Sequence, residues 1–433
     1  MSSPTRRDAS LRHGFVLVAL GLVAASGCYD GRSQAAATTS AKRTPRVTLA
    51  DGTLRGLVAG ATGYVYALWS APEGTVHVAA GVGSSFAPSR PLGLTGVSEL
   101  AAAEDRTGWL AVLASAGGQM WLVRGTFTGG FLAPLAVGSG GVQPSVATVV
   151  TGHVAMGWTS MSLGWVRVLV PGTGLGLLHG LGPTRPHVWL GATGEGLAIG
   201  GYWRAPPLAT SAPFPWAERH LLDANGGITA IDPRPEVPNW LPESRCMFTA
   251  DGDALLAVGF WSYDPVALAN VPDVIGFAAG VSAPPEQWQQ LDRAAALARD
   301  EDGRVVVARR GLMQYGSLPL VRLRSADGTW SETTYPATHP IATAIDAPFA
   351  AHIGADEAVV AWTAFVEEPQ PHWVLAAAPV TFAGQWGDVT VLDEWAPGDG
   401  YGAQSGLTAV ATGDGGVVFA WTRGGAVHCV AYR

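Results

Sequence analysis

The chain repeats one pattern of apolar and polar positions eight times. In each copy, a short apolar stretch leads into a tight polar turn and then into a second apolar stretch, which often ends on an aromatic residue. Six copies have a glycine at the same place in the turn: Gly63, Gly152, Gly194, Gly252, Gly303 and Gly415. In the other two copies Gly108 and Glu357 take that place. Short turns with glycine favour β-hairpins, because a positive φ angle suits the twist of the flanking strands. Each copy is therefore predicted to form a hairpin.

A second marker supports this spacing. After most hairpins a third strand and a turn are predicted, and then an aromatic residue that opens a fourth strand: Phe86, Phe131, Trp216, Trp288, Trp330 and Trp386. The copies lie about 50 residues apart, and four short strands at this period are typical of a β-propeller blade. The predicted fold is an all-β propeller with eight four-stranded blades. Seven blades are the alternative, if one weak copy is an insertion.

The two ends of the chain are predicted to complete one blade together. The last copy supplies three strands, at 407–412, 416–422 and 426–432, and it lacks a fourth. The segment 46–52 resembles the fourth strands of other copies. An unpaired apolar edge invites aggregation, so we expect the N-terminal strand to pair with the C-terminal hairpin and close the ring.

One segment conflicts locally with this pattern. Residues 286–303 are rich in strong helix formers and contain no β-branched residue. The repeat instead predicts a fourth strand at Trp288 and a first strand near Ala294, and this prediction is the one we adopt.

The N-terminus has the features of a secretory signal. Three arginines precede the apolar run 14–25, which is followed by Ser-Gly-Cys. The run is too short to favour a permanent membrane span. The end of the run, "AASGC", resembles the bacterial lipobox, in which the cysteine is lipidated and becomes the first residue. The resemblance implies a lipoprotein signal peptide at 1–27, lipidation of Cys28, a flexible tether at 28–45 and a propeller at 46–433.

The resemblance to lipoproteins also implies a location. In enterobacterial lipoproteins an Asp after the lipidated cysteine retains the protein at the inner membrane, and here Tyr29 follows Cys28. We therefore expect a cell-envelope protein anchored by its lipid to the outer membrane, facing either the periplasm or the surface.

Composition limits the function. Charged residues make up 14% of the chain, the net charge is −8 and the only lysine is Lys42, so nucleic acid is not an expected partner. Cys246 and Cys429 lie far apart and lack zinc-site spacing, so both are predicted to be buried and free. The sequence shows no set of residues for a metal, a cofactor or a nucleophile with its base. This favours a non-catalytic protein, and we expect it to be a monomer.

One turn carries a second resemblance. The segment 325–334, "SADGTWSETT", is similar to a shortened Asp-box of sialidase-like propellers. The resemblance implies a structural role, in which the aspartate holds the turn and the tryptophan packs. A sialidase would also need an arginine triad, a Tyr–Glu pair and an acidic proton donor, which we do not assign. Arg185, Arg245 and Arg293 lie near predicted first strands, where salt bridges at the rim are the expected role.

Loop length predicts a binding surface. The segments between second and third strands, and those between blades, lengthen from the fourth copy onward. Long proline-rich loops with aromatic residues favour a preformed surface on one side of the ring. The predicted ligand-binding residues are Asp232, Arg234, Trp240, Tyr263, Asp264, Tyr315, Asp346, Glu367, Glu368, Trp395 and Tyr401.

Two functions fit these features. The first is a lipid-anchored scaffold that binds a protein partner through the long loops of blades 4–8. In architecture it resembles the eight-bladed lipoprotein scaffold of outer-membrane barrel assembly. The second is a glycan-binding or sialidase-like glycoside hydrolase propeller, whose aromatic residues would stack on sugars.

The lipid anchor can be tested directly. Because Cys28 directly follows the predicted signal peptide, Cys28→Ser is expected to abolish labelling by a palmitate analogue and to release the protein from the membrane fraction. Cys246→Ser serves as the control and should remain labelled. A labelled, membrane-bound Cys28→Ser variant would contradict the assignment.

Overall fold

The computed structural model describes residues 44–83, 85–148, 152–161, 163–181, 187–192, 197–202, 217–222, 228–233, 243–248, 254–264, 269–277, 286–288, 294–300, 304–313, 316–327, 329–336, 342–354, 356–366, 369–397, 404–412 and 416–432. The predicted signal peptide, Cys28 and most of the predicted tether lie outside these residues. In the described part of the chain, 33 strands form eight antiparallel sheets, named here sheets 1 to 8.

The strands of the first four sheets follow one another along the chain. Sheet 1 contains β2 (Thr53–Ala59), β3 (Val65–Ser70), β4 (Thr75–Val82), β5 (Ser85–Phe86) and β6 (Arg90–Thr95). Sheet 2 contains β7 (Val97–Glu104), β8 (Leu110–Ala116), β9 (Gln119–Thr126), β10 (Gly130–Phe131) and β11 (Leu135–Ser139). Sheet 3 contains β12 (Val142–Thr148), β13 (Val154–Ser160), β14 (Leu163–Val170) and β15 (Gly174–Gly180). Sheet 4 contains β16 (His187–Ala192), β17 (Leu197–Tyr202), β18 (Ala217–Leu222) and β19 (Ile228–Pro233).

The remaining sheets include the strand nearest the N-terminus. Sheet 5 contains β20 (Glu243–Phe248), β21 (Ala254–Asp264), β22 (Ala269–Phe277) and β23 (Glu286–Trp288). Sheet 6 contains β24 (Ala294–Arg299), β25 (Val305–Met313) and β26 (Gly316–Arg324). Sheet 7 contains β27 (Ala342–Ile353), β28 (Glu357–Val366), β29 (His372–Thr381) and β30 (Thr390–Trp395). Sheet 8 contains β31 (Gln404–Ala411), β32 (Val417–Arg423), β33 (Ala426–Tyr432) and β1 (Val47–Asp51).

The sheets are arranged as in a propeller. The first strand of each sheet contacts the first strand of the next sheet, and β31 of sheet 8 contacts β2 of sheet 1. The first strands are therefore the inner strands, and the later strands of each sheet lie progressively further out. The prediction of an all-β propeller is confirmed by this topology. No helix that could cross a membrane occurs among the described residues.

The terminal strands pair with each other. β1 is antiparallel to β33, with Val47 opposite Cys429 and Asp51 opposite Ala426. The predicted pairing of the N-terminal strand with the C-terminal hairpin is thus present, while the number of blades and the closure of the ring stay predictions.

The helix-prone segment forms strands. β23 ends on Trp288 and β24 begins at Ala294, so the prediction from the repeat is confirmed. Ala296 and Ala298 of β24 are buried against sheet 7. Tertiary packing therefore overrides the local helix propensity, as it commonly does.

Two predictions about the later sheets are corrected. Trp216 was predicted to open a fourth strand, but it precedes β18, which is a third strand, and the fourth strand β19 lies within the predicted linker. The predicted long loops of sheets 5 and 6 are largely strand as well. In sheet 5, β21 and β22 remain paired as far as Asp264 and Ala269, because their aromatic and β-branched residues extend the ladder.

The core lies between neighbouring sheets and is richest on the second strands. Trp69, Trp158, Trp362 and Trp421 occupy corresponding places on β3, β13, β28 and β32, and each indole is at most 2% exposed. Each of these tryptophans is followed by serine or threonine. This repeated pair places a hydroxyl directly after the buried indole on each of these strands.

The Asp-box-like turn has a structural role. The Asp327 carboxylate accepts a hydrogen bond from the Thr329 amide at 2.9 Å, and these hydrogen bonds lower the pKa of Asp327. Trp330 packs beneath the Arg322 guanidinium, 5.8 Å from its ring centroid. A turn of the same length at 381–386 ends on Trp386, whose indole donates to Thr334 at 3.0 Å.

Asp393 joins sheets 7 and 8 to the N-terminal strand. Its carboxylate pairs with Arg46, which precedes β1, and with Arg423 of β32 at 3.0 Å. It also accepts a hydrogen bond from the buried indole of Trp421 at 3.1 Å. Asp393 is 5% exposed, so these partners replace water around its charge.

Replacing Asp393 is expected to destabilise the fold. Asp393→Ala leaves the Trp421 indole and two guanidinium groups without their acceptor, which should cost about 3 kcal/mol in urea unfolding. Glu394→Ala is the matched control, because the Glu394 side chain is exposed. A similar loss for both variants would show that the Asp393 contacts add little.

Acid is expected to weaken the fold through His352. Burial lowers its pKa from 6.5 to about 4, so the unfolded chain takes up a proton at higher pH than the folded chain. The contribution of His352 is complete above pH 6.5 and is lost as the pH falls toward 4. Between pH 7 and pH 5 this group alone should cost about 2 kcal/mol. Between these two pH values the free energy of unfolding of His352→Gln should fall by about 2 kcal/mol less than that of the wild type. An equal decrease in both proteins would contradict the role of His352.

Candidate functional site

The two ends of the propeller are distinguished by the turns that lie there. We call the end at which the inner strands begin the upper end. The turns between second and third strands lie at the same end, because successive strands of a sheet are antiparallel. The turns between first and second strands lie at the opposite, lower end.

The inner strands carry β-bulges near the upper end. In sheet 1, Leu54 pairs with Trp69 and Gly56 with Leu68, so Arg55 is the additional residue. In sheet 2 the additional residue is Ser98. Similar register shifts occur in β12, β24, β27 and β31. Bulges often redirect side chains beside functional sites.

Hydroxyl groups of the second strands hold neighbouring inner strands in place. The Leu54 amide donates to the Thr422 hydroxyl of sheet 8 at 2.7 Å. The Ser115 hydroxyl of sheet 2 donates to the Gly141 carbonyl, which precedes sheet 3, at 2.6 Å. These contacts cross from one sheet to the next and fix the spacing of the upper end.

A cavity of about 340 Å³ lies between the inner strands of sheets 8, 1 and 2. It is lined by residues 54–58 of β2, residues 100–102 of β7, and Gly406 and Thr408 of β31. The lining is mainly apolar, and Arg55 is its only charged residue. A cavity of this size lies within the range of small-ligand sites, about 300–1,000 Å³.

Arg55 is held by neutral groups. Its Nε donates to the Ser70 hydroxyl at 2.9 Å and its Nη1 donates to the Ser98 carbonyl at 3.1 Å. No carboxylate of the described residues forms a salt bridge with it. The guanidinium is therefore oriented, exposed and without a countercharge from the described part of the chain.

Glu99 connects sheets 2 and 3 next to Arg55. Its carboxylate Oε2 accepts a hydrogen bond from the backbone amide of Gln143, the second residue of β12. Gln143 has a φ angle of +54°, which is uncommon for a residue other than glycine. Such backbone conformations cost energy and cluster at functional sites.

These contacts form a continuous polar line. Arg55, Ser98, Glu99 and Gln143 connect the inner strands of sheets 1, 2 and 3, and we call these four residues the inner rim. Both charged residues and Gln143 are exposed. The inner rim can therefore offer three groups to one bound molecule: the Arg55 guanidinium, the Glu99 carboxylate and the side-chain amide of Gln143.

Two apolar side chains lie beside the inner rim. Val142 precedes Gln143 and is 49% exposed. Met161, in the turn that follows β13, is 94% exposed and has a φ angle of +50°. Val142 is paired with Thr159, two residues before Met161, so both belong to the upper end of sheet 3.

Four of the residues predicted from sequence lie in strands rather than loops. Asp232 is in β19, Tyr263 and Asp264 end β21, and Asp346 is in β27. The direction of these strands places all four toward the upper end, on sheets 4, 5 and 7. The structure describes the strand positions of these four residues and not their side chains.

Trp395 requires a correction. It was predicted in an exposed loop, but it ends β30 and is 5% exposed. Its indole stacks on Trp373 with ring centroids 6.4 Å apart, and the Arg423 guanidinium lies 5.9 Å from its ring. Trp395 therefore belongs to the core between sheets 7 and 8.

The remaining predicted site residues lie outside the described residues. They are Arg234, Trp240, Tyr315, Glu367, Glu368 and Tyr401, together with the lipidation residue Cys28 and the arginines Arg185 and Arg293. Arg245 lies in the inner strand β20. Cys429 is buried and free, and burial raises the pKa of its thiol to about 12.

Sequence reasoning missed the inner rim. The available signal was the polar residue near the start of successive inner strands, in "TLRG", "VSEL" and "VQPS". Among the described residues, no group of three or more His, Cys, Asp or Glu side chains could hold a metal ion.

Comparison with known proteins gives weak likenesses of fold. No protein-family model matches the chain, and no curated protein matches it. The polysaccharide lyase Uly1 aligns with 75% of this chain and 88% of its own, at 9% identity and a TM-score of 0.45. Virginiamycin B lyase from Staphylococcus aureus aligns with 74% of this chain and 95% of its own, at 10% identity and a TM-score of 0.44.

A third solved structure is described as a propeller. It is the β-propeller domain of the Trilobed protease from Pyrococcus furiosus, which aligns with 75% of this chain and 92% of its own, at 13% identity and a TM-score of 0.41. At these scores none of the three likenesses bears on activity. The class of this protein, a β-propeller, rests on its own strand topology.

Proposed function

We propose that this protein is a lipid-anchored β-propeller of the cell envelope that binds a glycan at the inner rim. The single observation that carries the proposal is Arg55. It lines a cavity of about 340 Å³, two neutral hydrogen bonds orient it, and no described carboxylate neutralises it.

An oriented cation of this kind suits recognition of an anionic or strongly polar ligand. The bonds to Ser70 and Ser98 restrict the guanidinium before a ligand arrives, which reduces the entropy lost on binding. A guanidinium can also bind an acceptor such as carboxylate with two parallel hydrogen bonds.

The role we propose is binding without a chemical step. Glycoside hydrolysis generally uses a pair of carboxyl groups on either side of the scissile bond. The inner rim contains one carboxylate, Glu99, and its Oε2 is engaged with the Gln143 amide. This arrangement supports recognition of a sugar more directly than its cleavage.

A protein partner is the second candidate, favoured by the outer strand of sheet 3. Leu177 and Leu178 of β15 are 77% and 42% exposed, and the outer edge of β15 is unpaired among the described strands. Extended peptides can add to such an edge. This observation supports the scaffold hypothesis at a surface separate from the inner rim.

Binding at the inner rim can be tested with a charge-neutral variant. Detergent-solubilised full-length protein would be screened against a glycan panel by thermal melting, and each hit would be measured by calorimetry. Arg55→Gln is expected to weaken binding of the hit at least about tenfold, because it removes a charge-assisted contact.

Arg106→Gln is the matched control, because Arg106 is exposed in a turn at the lower end and the change removes the same charge. It should leave the affinity unchanged. The proposal fails if no glycan raises the melting temperature at millimolar concentration, or if the two variants behave alike.

A further inference from the structure

We infer that the ligand of the inner rim is an acidic saccharide, in which a carboxylate contacts Arg55 and a hydroxyl of the same or the next sugar contacts Glu99. The inference rests on the proposed function and goes beyond it, because it assigns a ligand chemistry to each side chain of the inner rim.

The first step of the argument is the order of charges. The Arg55 Nη1 group binds the carbonyl of Ser98, and Glu99 is the next residue along β7. A cation and a carboxylate therefore lie on adjacent inner strands without a salt bridge between them. A ligand that spans both must present an acceptor to one and a donor to the other.

The second step excludes ligands that carry only negative charges and ligands that carry only neutral groups. A purely anionic chain would be attracted by Arg55 and repelled by Glu99. A neutral sugar would satisfy Glu99 and leave the guanidinium without a charged partner. A uronic acid carries a carboxylate and several hydroxyl donors within one ring, so it suits both groups.

The third step concerns rigidity. Glu99 Oε2 accepts from the Gln143 amide, which orients the carboxylate and leaves Oε1 able to accept from a ligand. The same contact involves a residue at a φ angle of +54°. A strained residue that orients an exposed carboxylate is characteristic of a site organised before binding.

The apolar pair extends the site by one subsite. Val142 and Met161 are exposed near Gln143, at the upper end of sheet 3. The C–H face of a pyranose ring is apolar, so a second sugar can lie against these two side chains. The inferred ligand is therefore an oligosaccharide that runs from sheet 1 to sheet 3.

The test uses trigalacturonate and its methyl ester, in which each charged carboxylate is replaced by a neutral ester with one added methyl group. Calorimetry on the full-length protein is expected to show at least about tenfold weaker binding of the ester. Arg55→Gln should weaken the binding of trigalacturonate by a similar factor and leave the affinity for the ester unchanged. This pattern identifies Arg55 as the partner of the carboxylate.

Glu99→Gln tests the second contact. Glutamine can still accept from the Gln143 amide, so the fold should persist, and thermal melting would verify this. The variant should weaken both the acid and the ester about tenfold, because the ligand hydroxyl loses a charged acceptor. Arg106→Gln should change neither affinity.

The outcomes separate this inference from the proposed function. Tighter binding of trigalacturonate by Glu99→Gln, or equal binding of acid and ester by the wild type, would overturn the inference. If another glycan then still binds in an Arg55-dependent way, the proposed function stands. If oligoglutamate binds in an Arg55-dependent way and no glycan binds, both the inference and the proposed function are overturned.

Discussion

The structure depends on one constraint: wherever the side chains of the central strands are described, the sheet is apolar on both faces and must be covered on both. β3, β8 and the central part of β28 are buried along consecutive residues, whose side chains alternate between the two faces. A sheet of this kind cannot be stable at the end of a stack. Covering every sheet twice requires the first and last sheets to meet, and the Leu54 amide bond to Thr422 and the β1–β33 pairing lie at that junction.

The same constraint explains why the fold could be predicted from the sequence. Apolar hairpins recur because every sheet has the same two neighbours to satisfy, and the turn glycines recur with them; Gly63, Gly108 and Gly152 have positive φ angles. At β24 the repeat predicted a strand correctly, although the local residues favour a helix. The aromatic marker was wrong at Trp216 and loop length was wrong at Trp395, because an aromatic residue marks a packing gap and does not by itself identify which strand, or which side of the propeller, it occupies.

The candidate site was harder to predict, for a physical reason. Its residues belong to the inner strands, where the repeat leads one to expect packing, and two of them, Arg55 and Ser98, lie at bulges. Arg55 and Ser98 are additional residues in the ladder, so a regular alternation of facing positions assigns neither of them correctly. Long loops offered a more obvious signal, yet sheets 5 and 6 use much of that length to extend their strands.

The direction of β1 has a geometrical consequence. Thr44 donates to the carbonyl of Ala431 at 3.0 Å, and β1 then runs to Asp51, opposite Ala426 beside the upper turn of sheet 8. The chain therefore enters the propeller at the lower end, about one strand length, roughly 20 Å, from the inner rim. Any segment that precedes Thr44 therefore joins the propeller at the end opposite to Arg55.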